Sequence, residues 1–112
     1  MNKIKILVVE PRKQPYIKVI RNEISQIYGL VYAPLKEMLL ENNIYILYSK
    51  EAQNRDMEDS LDVFSPNRKL SGMLLFSNFV VIGKDENMNW ISLTTEEIKK
   101  YSNWFHFPNG IR

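Results

Sequence analysis

The sequence predicts an α+β fold, with a small mixed or antiparallel sheet of about five strands and two helices, the longer of which is C-terminal. Short runs rich in β-branched and aromatic residues are separated by turn residues, which is the pattern of strands joined by hairpins. Only two segments carry apolar residues at helical spacing. No Gly-, Ser- or Pro-rich linker and no internal repeat divides the 112 residues, so we expect one domain, 1–112.

Four strands are predicted in the first half of the chain. Ile4–Val9 is an almost continuous apolar run, which favours burial on both faces and a central place in the sheet. A turn with two prolines, 11–15, follows this strand. The other strands are predicted over 16–20, 30–35 and 43–48. Pro34 favours an edge position for the third of the four strands, and 36–42 is compatible with a helical turn or a loop.

A short helix is predicted between the second and third strands. Asn22 and Glu23 have the chemistry of an N-cap and a first turn, and Gly29 is placed to end the helix. One face of this helix carries three apolar residues, Ile24, Ile27 and Tyr28. Because the segment is only about two turns long, we expect packing rather than propensity to hold it.

The second half of the chain begins with an acidic segment, 51–62, and then returns to strands. Its low apolar content predicts a loose helix or a surface loop, and makes it the segment we expect to be most mobile. Turn chemistry follows over 65–68 and places Asn67 and Arg68 on an exposed turn. The remaining predictions are a strand over 79–82, a turn over 83–87 and a short strand over 90–93.

The clearest local signal lies near the C-terminus. Thr94 is a good N-cap, and Glu97 three residues later completes a capping box. Leu93 and Ile98 flank this box as a hydrophobic staple, so a helix is predicted from about 95 to 105. Its buried face is expected to carry Ile98, Tyr101 and Phe105.

Composition excludes several kinds of site. The absence of cysteine rules out disulfides, thiolate metal sites and cysteine nucleophiles. The single histidine, His106, rules out a polyhistidine metal site within one chain, and we interpret it as a helix-end residue rather than a general base. No glycine-rich phosphate loop, HExxH or GxSxG motif is present, so we expect no catalytic residue, no cofactor and no bound metal.

Hydropathy and charge predict a cytoplasmic protein that does not enter a membrane. No segment approaches the ~20 apolar residues of a membrane span, and the N-terminal apolar run stops at Glu10, too early for a signal peptide. The net charge of +2 is too small to indicate nucleic acid by itself. Residues 1–50 carry eight basic and four acidic side chains, whereas 51–112 carry seven and nine. This predicts either a basic and an acidic face or an evenly mixed surface.

Four sets of residues are candidates for binding. Glu10 follows a buried strand and is either a functional carboxylate or an ion-pair partner. Asn67 and Arg68 either grip a carboxylate or phosphate or only stabilise their turn. A basic cluster with an interleaved Tyr16, which points to nucleic acid, consists of Arg12, Lys13, Lys18 and Arg21. The acidic segment offers a protein partner four carboxylates, Asp56, Glu58, Asp59 and Asp62.

Several short motifs, each present once, follow one another in a specific order along almost the whole chain. They are Lys5–Pro11 with Lys13 and Pro15, Ile27–Val31, Ile44–Glu51, Asn67 and Arg68, Gly72, Phe79–Gly83, Ser92–Glu96 and Tyr101. In these residues the chain resembles the family catalogued as domain of unknown function 3846. The resemblance implies carriage on phages, plasmids or conjugative elements of Gram-positive bacteria, and action inside the host cell. It implies no reaction, cofactor or catalytic residue.

The residues and the resemblance together predict a non-enzymatic binding protein of a phage or mobile element. Its partner is expected to be a host macromolecule, first of all a nuclease or other defence protein, in an anti-CRISPR or anti-restriction role. The alternative is a nucleic-acid-binding accessory factor that uses the basic cluster and Arg68. The second alternative is a small enzyme or ligand-binding protein with Glu10 and Arg68 in one pocket. An edge strand at 30–35 also gives a route to a homodimer by strand pairing.

Overall fold

The protein is organised around one antiparallel sheet. The structure is a computed structural model, and it describes residues 3–53, 65–70 and 72–106. These residues contain eight strands and three helices. In chain order they are β1 (Lys3–Val9), β2 (Tyr16–Arg21), α1 (Ile24–Tyr28), β3 (Leu35–Glu41), β4 (Ile44–Ser49), α2 (Lys50–Gln53), β5 (Pro66–Leu70), β6 (Met73–Phe76), β7 (Phe79–Lys84), β8 (Trp90–Ile91) and α3 (Thr95–Trp104).

The strand order results from hairpins and two longer connections, one from β2 through α1 to β3 and one from β4 through α2, β5 and β6 to β7. Five strands lie side by side in the order β2-β1-β7-β4-β3, and β8 pairs with the end of β7 as a sixth. Strands β5 and β6 form a separate two-stranded sheet, and all of these pairings are antiparallel. The predicted small α+β fold is therefore confirmed in outline. Within the described residues, the main sheet has six strands rather than five and there are three helices rather than two.

β1 is buried on both faces, as its continuous apolar run predicts. Leu7 and Val9 face a core that α3 and the small sheet cover, which we call the α3 face. Ile4, Ile6 and Val8 face the opposite core, beneath α1, which we call the α1 face. Alternation along a strand sends successive side chains to opposite faces, so a strand that is apolar throughout needs cover on both sides.

The longest helix of the described chain, α3, begins as the sequence predicts. The Thr94 hydroxyl accepts from the Glu97 amide at 3.1 Å, and the Glu97 carboxylate accepts from the Thr94 amide at 2.8 Å, which completes the capping box. Tyr101 and Phe105 are buried, and Phe105 packs edge-on against Phe79 with ring centroids 5.3 Å apart. None of the described helices has the length and apolar character that crossing a bilayer requires.

The third strand lies later in the chain than predicted. The prediction of a strand over 30–35 and of a helical turn or loop over 36–42 is wrong, because β3 spans Leu35–Glu41. Met38 and Leu40 pack against the α3-face core, and Leu39 points to solvent. A register shift between Leu39 and Glu41 marks a bulge. Two consecutive leucines at this bulge interrupt the period-two pattern that identifies a strand from sequence.

The exposed turn predicted over 65–68 is also wrong. Residues Pro66–Leu70 form β5, and the side chains of Asn67 and Arg68 are fully buried. The turn predicted to begin at Gly83 starts later, because β7 continues through Lys84. A Cβ at Gly83 would lie 3.1 Å from Ile91 Cγ1, so the missing side chain lets β8 approach β7.

The first helix is short and buries less than its pattern predicts. Ile27 is fully buried in the α1-face core. Ile24 and Tyr28, predicted on the same face, are each about half exposed, at 50% and 51%. Gly29 follows the last helical residue, as predicted, but in a right-handed conformation with φ of −79°. One buried isoleucine and the following Val31 therefore anchor this segment to the sheet.

Candidate binding surface

The most exposed part of the main sheet is its edge strand, β2. Its register with β1 is regular over all six residues, from Tyr16 opposite Val8 to Arg21 opposite Lys3. On its other side, β2 has no strand neighbour among the described residues. Ile20 is its only buried residue. A regular strand with one open side presents main-chain donors and acceptors to solvent.

The direction of these main-chain groups follows from the hydrogen bonds of β1. The Lys5 amide donates to Ser92 Oγ at 2.6 Å, and the Lys5 carbonyl accepts from the Leu93 amide at 3.0 Å. Both groups of Lys5 therefore point away from β2. In an antiparallel pair, the residue opposite Lys5 then also points its groups away, and that residue is Val19.

Main-chain groups of successive residues in a strand point alternately to its two sides, so every second residue of β2 is oriented like Val19. Ile17 and Arg21 share its orientation, so their amides and carbonyls lie on the open edge. At Arg21 the chain itself satisfies both groups, because the amide donates to Gln26 Oε1 at 3.4 Å and the carbonyl accepts from Glu23 N at 2.7 Å. The open edge therefore consists of the main-chain groups of Ile17 and Val19.

The side chains of the edge form an apolar and a polar side. Ile17 and Val19 lie on the α3 face, and 51% and 53% of their surface is exposed. Tyr16 and Lys18 lie on the α1 face and are exposed as well. Exposed β-branched residues on an unpaired strand are a typical site of strand pairing.

Positive charge surrounds this strand. Exposed cations lie along β1, β2 and the turn between them, at Lys3, Lys5, Arg12, Lys13, Lys18 and Arg21. Glu10 and Glu23 are the acidic residues between positions 3 and 23, and they pair with Lys13 at 3.2 Å and with Arg21 at 3.7 Å. Lys18 has no ion-pair partner in the described parts of the chain. We call the six cations together with Tyr16, Ile17 and Val19 the β2 edge surface.

A shallow cleft opens at one end of this surface. It has a volume of about 430 Å³ and is lined by Lys3, Val19, Ile20, Arg21 and Gln26. Two cations and one exposed valine line it together, so it combines positive charge with apolar surface. The described residues contain no group of three His, Asp or Glu side chains placed to hold a metal ion.

Glu10 ties the turn to the start of β2. The Tyr16 hydroxyl donates to Glu10 Oε2 at 2.6 Å, and this hydrogen bond, together with Lys13, lowers the pKa of the Glu10 carboxyl. Burial and the same hydrogen bond raise the pKa of Tyr16 to about 12. The carboxylate is therefore engaged within the turn, which is the ion-pair role that the sequence left as one of two alternatives.

Arg68 supports the same turn from beneath. Its guanidinium donates to the carbonyls of Glu10 at 3.3 Å, Lys13 at 2.6 Å and Phe105 at 3.0 and 2.8 Å. The remaining donor bonds Asn67 Oδ1 at 2.7 Å, which accounts for all five N–H groups. Burial lowers the pKa of Arg68. The carbonyl at the end of α3 is a favourable partner for this buried cation.

Asn67 completes this support and brings together parts distant in sequence. Its side-chain amide donates to the carbonyls of Val9 at 2.9 Å and Ser77 at 2.8 Å. Asn67 and Arg68 thus join β1, the turn after it, the end of α3 and the turn between β6 and β7. Glu10 and Arg68 do converge, but through the main-chain carbonyl of Glu10, and the guanidinium keeps no donor for a ligand.

The predicted site residues divide into three groups, of which the first holds the turn before β2 and consists of Glu10, Asn67 and Arg68. Arg12, Lys13, Lys18 and Arg21 lie together at the β2 edge, as their clustering in sequence suggests. The acidic candidates Asp56, Glu58, Asp59 and Asp62 lie outside the described residues. Sequence reasoning missed Ile17 and Val19. Two β-branched residues flanking a lysine are a visible signal, but only the strand order reveals which strand lies at an open edge.

Comparison with known proteins agrees with the resemblance seen in the sequence. Residues 4–106 match the family model described as Domain of unknown function (DUF3846). This match covers almost all of the described residues, including β1, β2 and the residues that support the turn between them. No curated protein and no solved structure matches the chain.

Proposed function

The chain belongs to the DUF3846 family, and from this premise we propose that it is a non-enzymatic binding protein that acts on a host macromolecule through the β2 edge surface. The observation that carries this proposal is the open main chain of Ile17 and Val19, set among exposed cations and half-exposed apolar side chains. An unprotected edge of this kind tends to attract a partner or to aggregate. We therefore interpret the open edge as a surface that a binding partner covers.

Counter-defence is the biological role we assign to this binding. A phage or plasmid protein of this size acts most simply by occupying the working surface of a host nuclease or another defence protein. The acidic residues Asp56, Glu58, Asp59 and Asp62 would form a second contact, where nucleic acid phosphates otherwise bind. Replacing all four by Asn or Gln should then restore host defence, measured as plating efficiency of a phage on cells that carry the target system.

The binding surface can be tested without knowing the target. The tagged chain is recovered from host lysate in mild salt and examined by native mass spectrometry, beside two double variants. In Ile17→Ser with Val19→Ser, both substitutions lie on the β2 edge. In Leu39→Ser with Leu74→Ser, two exposed leucines elsewhere are changed, with exposed fractions of 56% and 38%.

We expect the wild type and the leucine variant to retain one discrete bound mass, and the β2 variant to lose it. Retention of the same mass by all three proteins would place the binding surface elsewhere. Loss in both double variants would indicate non-specific apolar capture rather than a dedicated site.

A second candidate function, a nucleic-acid-binding accessory factor, is favoured by the six cations of the β2 edge surface. This function predicts affinity for single-stranded DNA that falls steeply with salt, because bound phosphates release counterions. Replacing Arg12 and Lys18 by Gln should reduce the salt slope by about two. A gel-shift series that shows no binding at low salt would remove this candidate.

A further inference from the structure

We propose that the partner adds an extended, acidic strand to the open edge of β2. This inference rests on the proposed function and specifies the chemistry of the partner. Two amides and two carbonyls, those of Ile17 and Val19, are available on this edge. An incoming strand offers the complementary groups at the same spacing, which is the recognition mode known as β-strand addition.

The length of the added strand is limited by the chain itself. Beyond Val19, the outward groups of Arg21 are occupied by Gln26 and Glu23. Before Ile17, the turn is held in place by Arg68 through the Glu10 and Lys13 carbonyls. The partner therefore needs only a short extended segment, with its centre opposite Lys18.

The side chains of the edge define a pattern for the partner. Residues directly opposite each other in a sheet share a face and contact each other. Apolar residues are thus favoured opposite Ile17 and Val19, whose side chains lie half exposed on the α3 face. A carboxylate is favoured opposite Lys18, on the other face. The resulting pattern is apolar–acidic–apolar, within a field set by the surrounding cations.

Charge argues against a second copy as the occupant. An antiparallel pair of β2 strands that uses all the open groups places Ile17 opposite Val19 and Lys18 opposite Lys18 of the second copy. Like charges directly opposite each other destabilise a pair, and the other cations of the surface add to this repulsion. Nucleic acid would balance the charge, but it lacks the alternating amides and carbonyls that the open main chain pairs with.

The test uses short peptides as probes and the full chain as the receptor. One seven-residue peptide alternates valine with glutamate, and a control of the same length alternates valine with lysine. Affinity is measured by titration, and amide hydrogen exchange by NMR locates the contact. In Val19→Pro the outward donor is lost while the ladder to β1 is kept, since proline is tolerated on an edge strand where its nitrogen faces solvent. In Lys18→Glu the charge is reversed and the main chain is unchanged.

We expect the glutamate peptide to bind and to protect the amides of Ile17 and Val19, with no change at Leu39 on β3. Val19→Pro should lower the affinity about tenfold or more, because a carbonyl of the peptide is left unpaired. Lys18→Glu should exchange the preference, so that the lysine peptide binds better. Thermal unfolding of both variants controls for folding, and Lys18→Glu decides the question if the proline variant unfolds.

Three outcomes would overturn the inference. One is protection of amides outside β2. Another is preferential binding of a single-stranded DNA oligonucleotide that Val19→Pro does not weaken, which would assign the surface to nucleic acid. The third is a homodimer that Val19→Pro dissociates, seen by light scattering, with no peptide binding. If capture from lysate depends on Ile17 and Val19 but no peptide is bound, strand addition fails and the proposed function stands.

Discussion

The two edge strands of the main sheet, β2 and β3, are of similar length and differ in how the fold treats them. β2 pairs without interruption and leaves Ile17 and Val19 open. β3 has a bulge between Leu39 and Glu41, which disrupts its ladder. Bulges and covered side chains are common means of preventing unwanted pairing at an edge. The fold therefore protects one edge and leaves the other accessible.

The charges of the two edges differ in the same way. On β3, Glu37 forms an ion pair with Lys84, and Glu41 accepts hydrogen bonds from Lys100 and Tyr101. These partners lower the pKa of Glu41, and burial raises that of Tyr101. On β2, Lys18 has no such partner in the described residues. Charges that a fold does not neutralise internally are the ones available to a binding partner.

The support beneath the β2 edge should give the largest effect. Arg68→Ala removes five hydrogen bonds. The buried carbonyl of Phe105 and the part-buried carbonyl of Lys13 lose their donors, and the Glu10 carbonyl keeps only its bond from the Lys13 amide. Because unpaired buried polar groups are costly, we expect the free energy of unfolding to fall by about 3 kcal/mol or more. Urea unfolding measures this. The neighbouring exposed Lys69→Ala is the matched control, with a change within about 0.5 kcal/mol. Equal effects of the two variants would contradict the support role.

Loss of the ion pair between Lys84 and Glu37 should lower the free energy of unfolding by a smaller amount. Lys84 is almost fully buried and pairs with Glu37, so Lys84→Met removes the ion pair but keeps the apolar stem. Because Glu37 is partly exposed, its carboxylate becomes hydrated again in the variant. We therefore expect the free energy of unfolding, measured by thermal unfolding, to fall by only about 1 kcal/mol. Lys36→Met, on the same strand, should change stability little. If the ion pair protects this edge, Lys84→Met should also increase non-specific binding to basic partners.

The turn that leads into β2 gives a pH-dependent prediction. Tyr16→Phe removes the hydrogen bond that is the main cause of the lowered Glu10 pKa. Because solvent screens this partly exposed pair, the free energy of unfolding should fall by only about 0.5–1 kcal/mol at neutral pH. A carboxyl with a depressed folded-state pKa contributes stability above its ordinary value of 4.5 and loses it as pH falls through the folded pKa. The two proteins should therefore converge in stability as the pH falls from 4.5 through the lowered pKa of Glu10. A difference that stays constant with pH would exclude Glu10 as the partner.

The sequence carries much of the fold and only part of the candidate surface. The apolar run of β1 and the capping box of α3 are local signals, and both predictions are confirmed. The burial of Arg68 is not a local signal, since the three main-chain carbonyls that accept its hydrogen bonds lie 37 to 58 residues away in sequence. From the local sequence alone, Pro66 and Asn67 before Arg68 have the pattern of a turn, which is why the burial was not predicted. Likewise, the basic cluster is visible in sequence, whereas the open edge depends on strand order.

The smallest effect on stability should accompany a large effect on binding. Val19→Thr keeps a β-branched side chain and its strand preference, and Val19 is half exposed, so unfolding should change by less than about 0.5 kcal/mol. The added hydroxyl nevertheless lies where we expect an apolar residue of the partner, and its desolvation should weaken capture of that partner. Leu39→Thr on β3 is the counterpart at the protected edge and should alter neither quantity. Equal loss of capture in both variants would show that the two edges do not differ in function, even though they differ in structure.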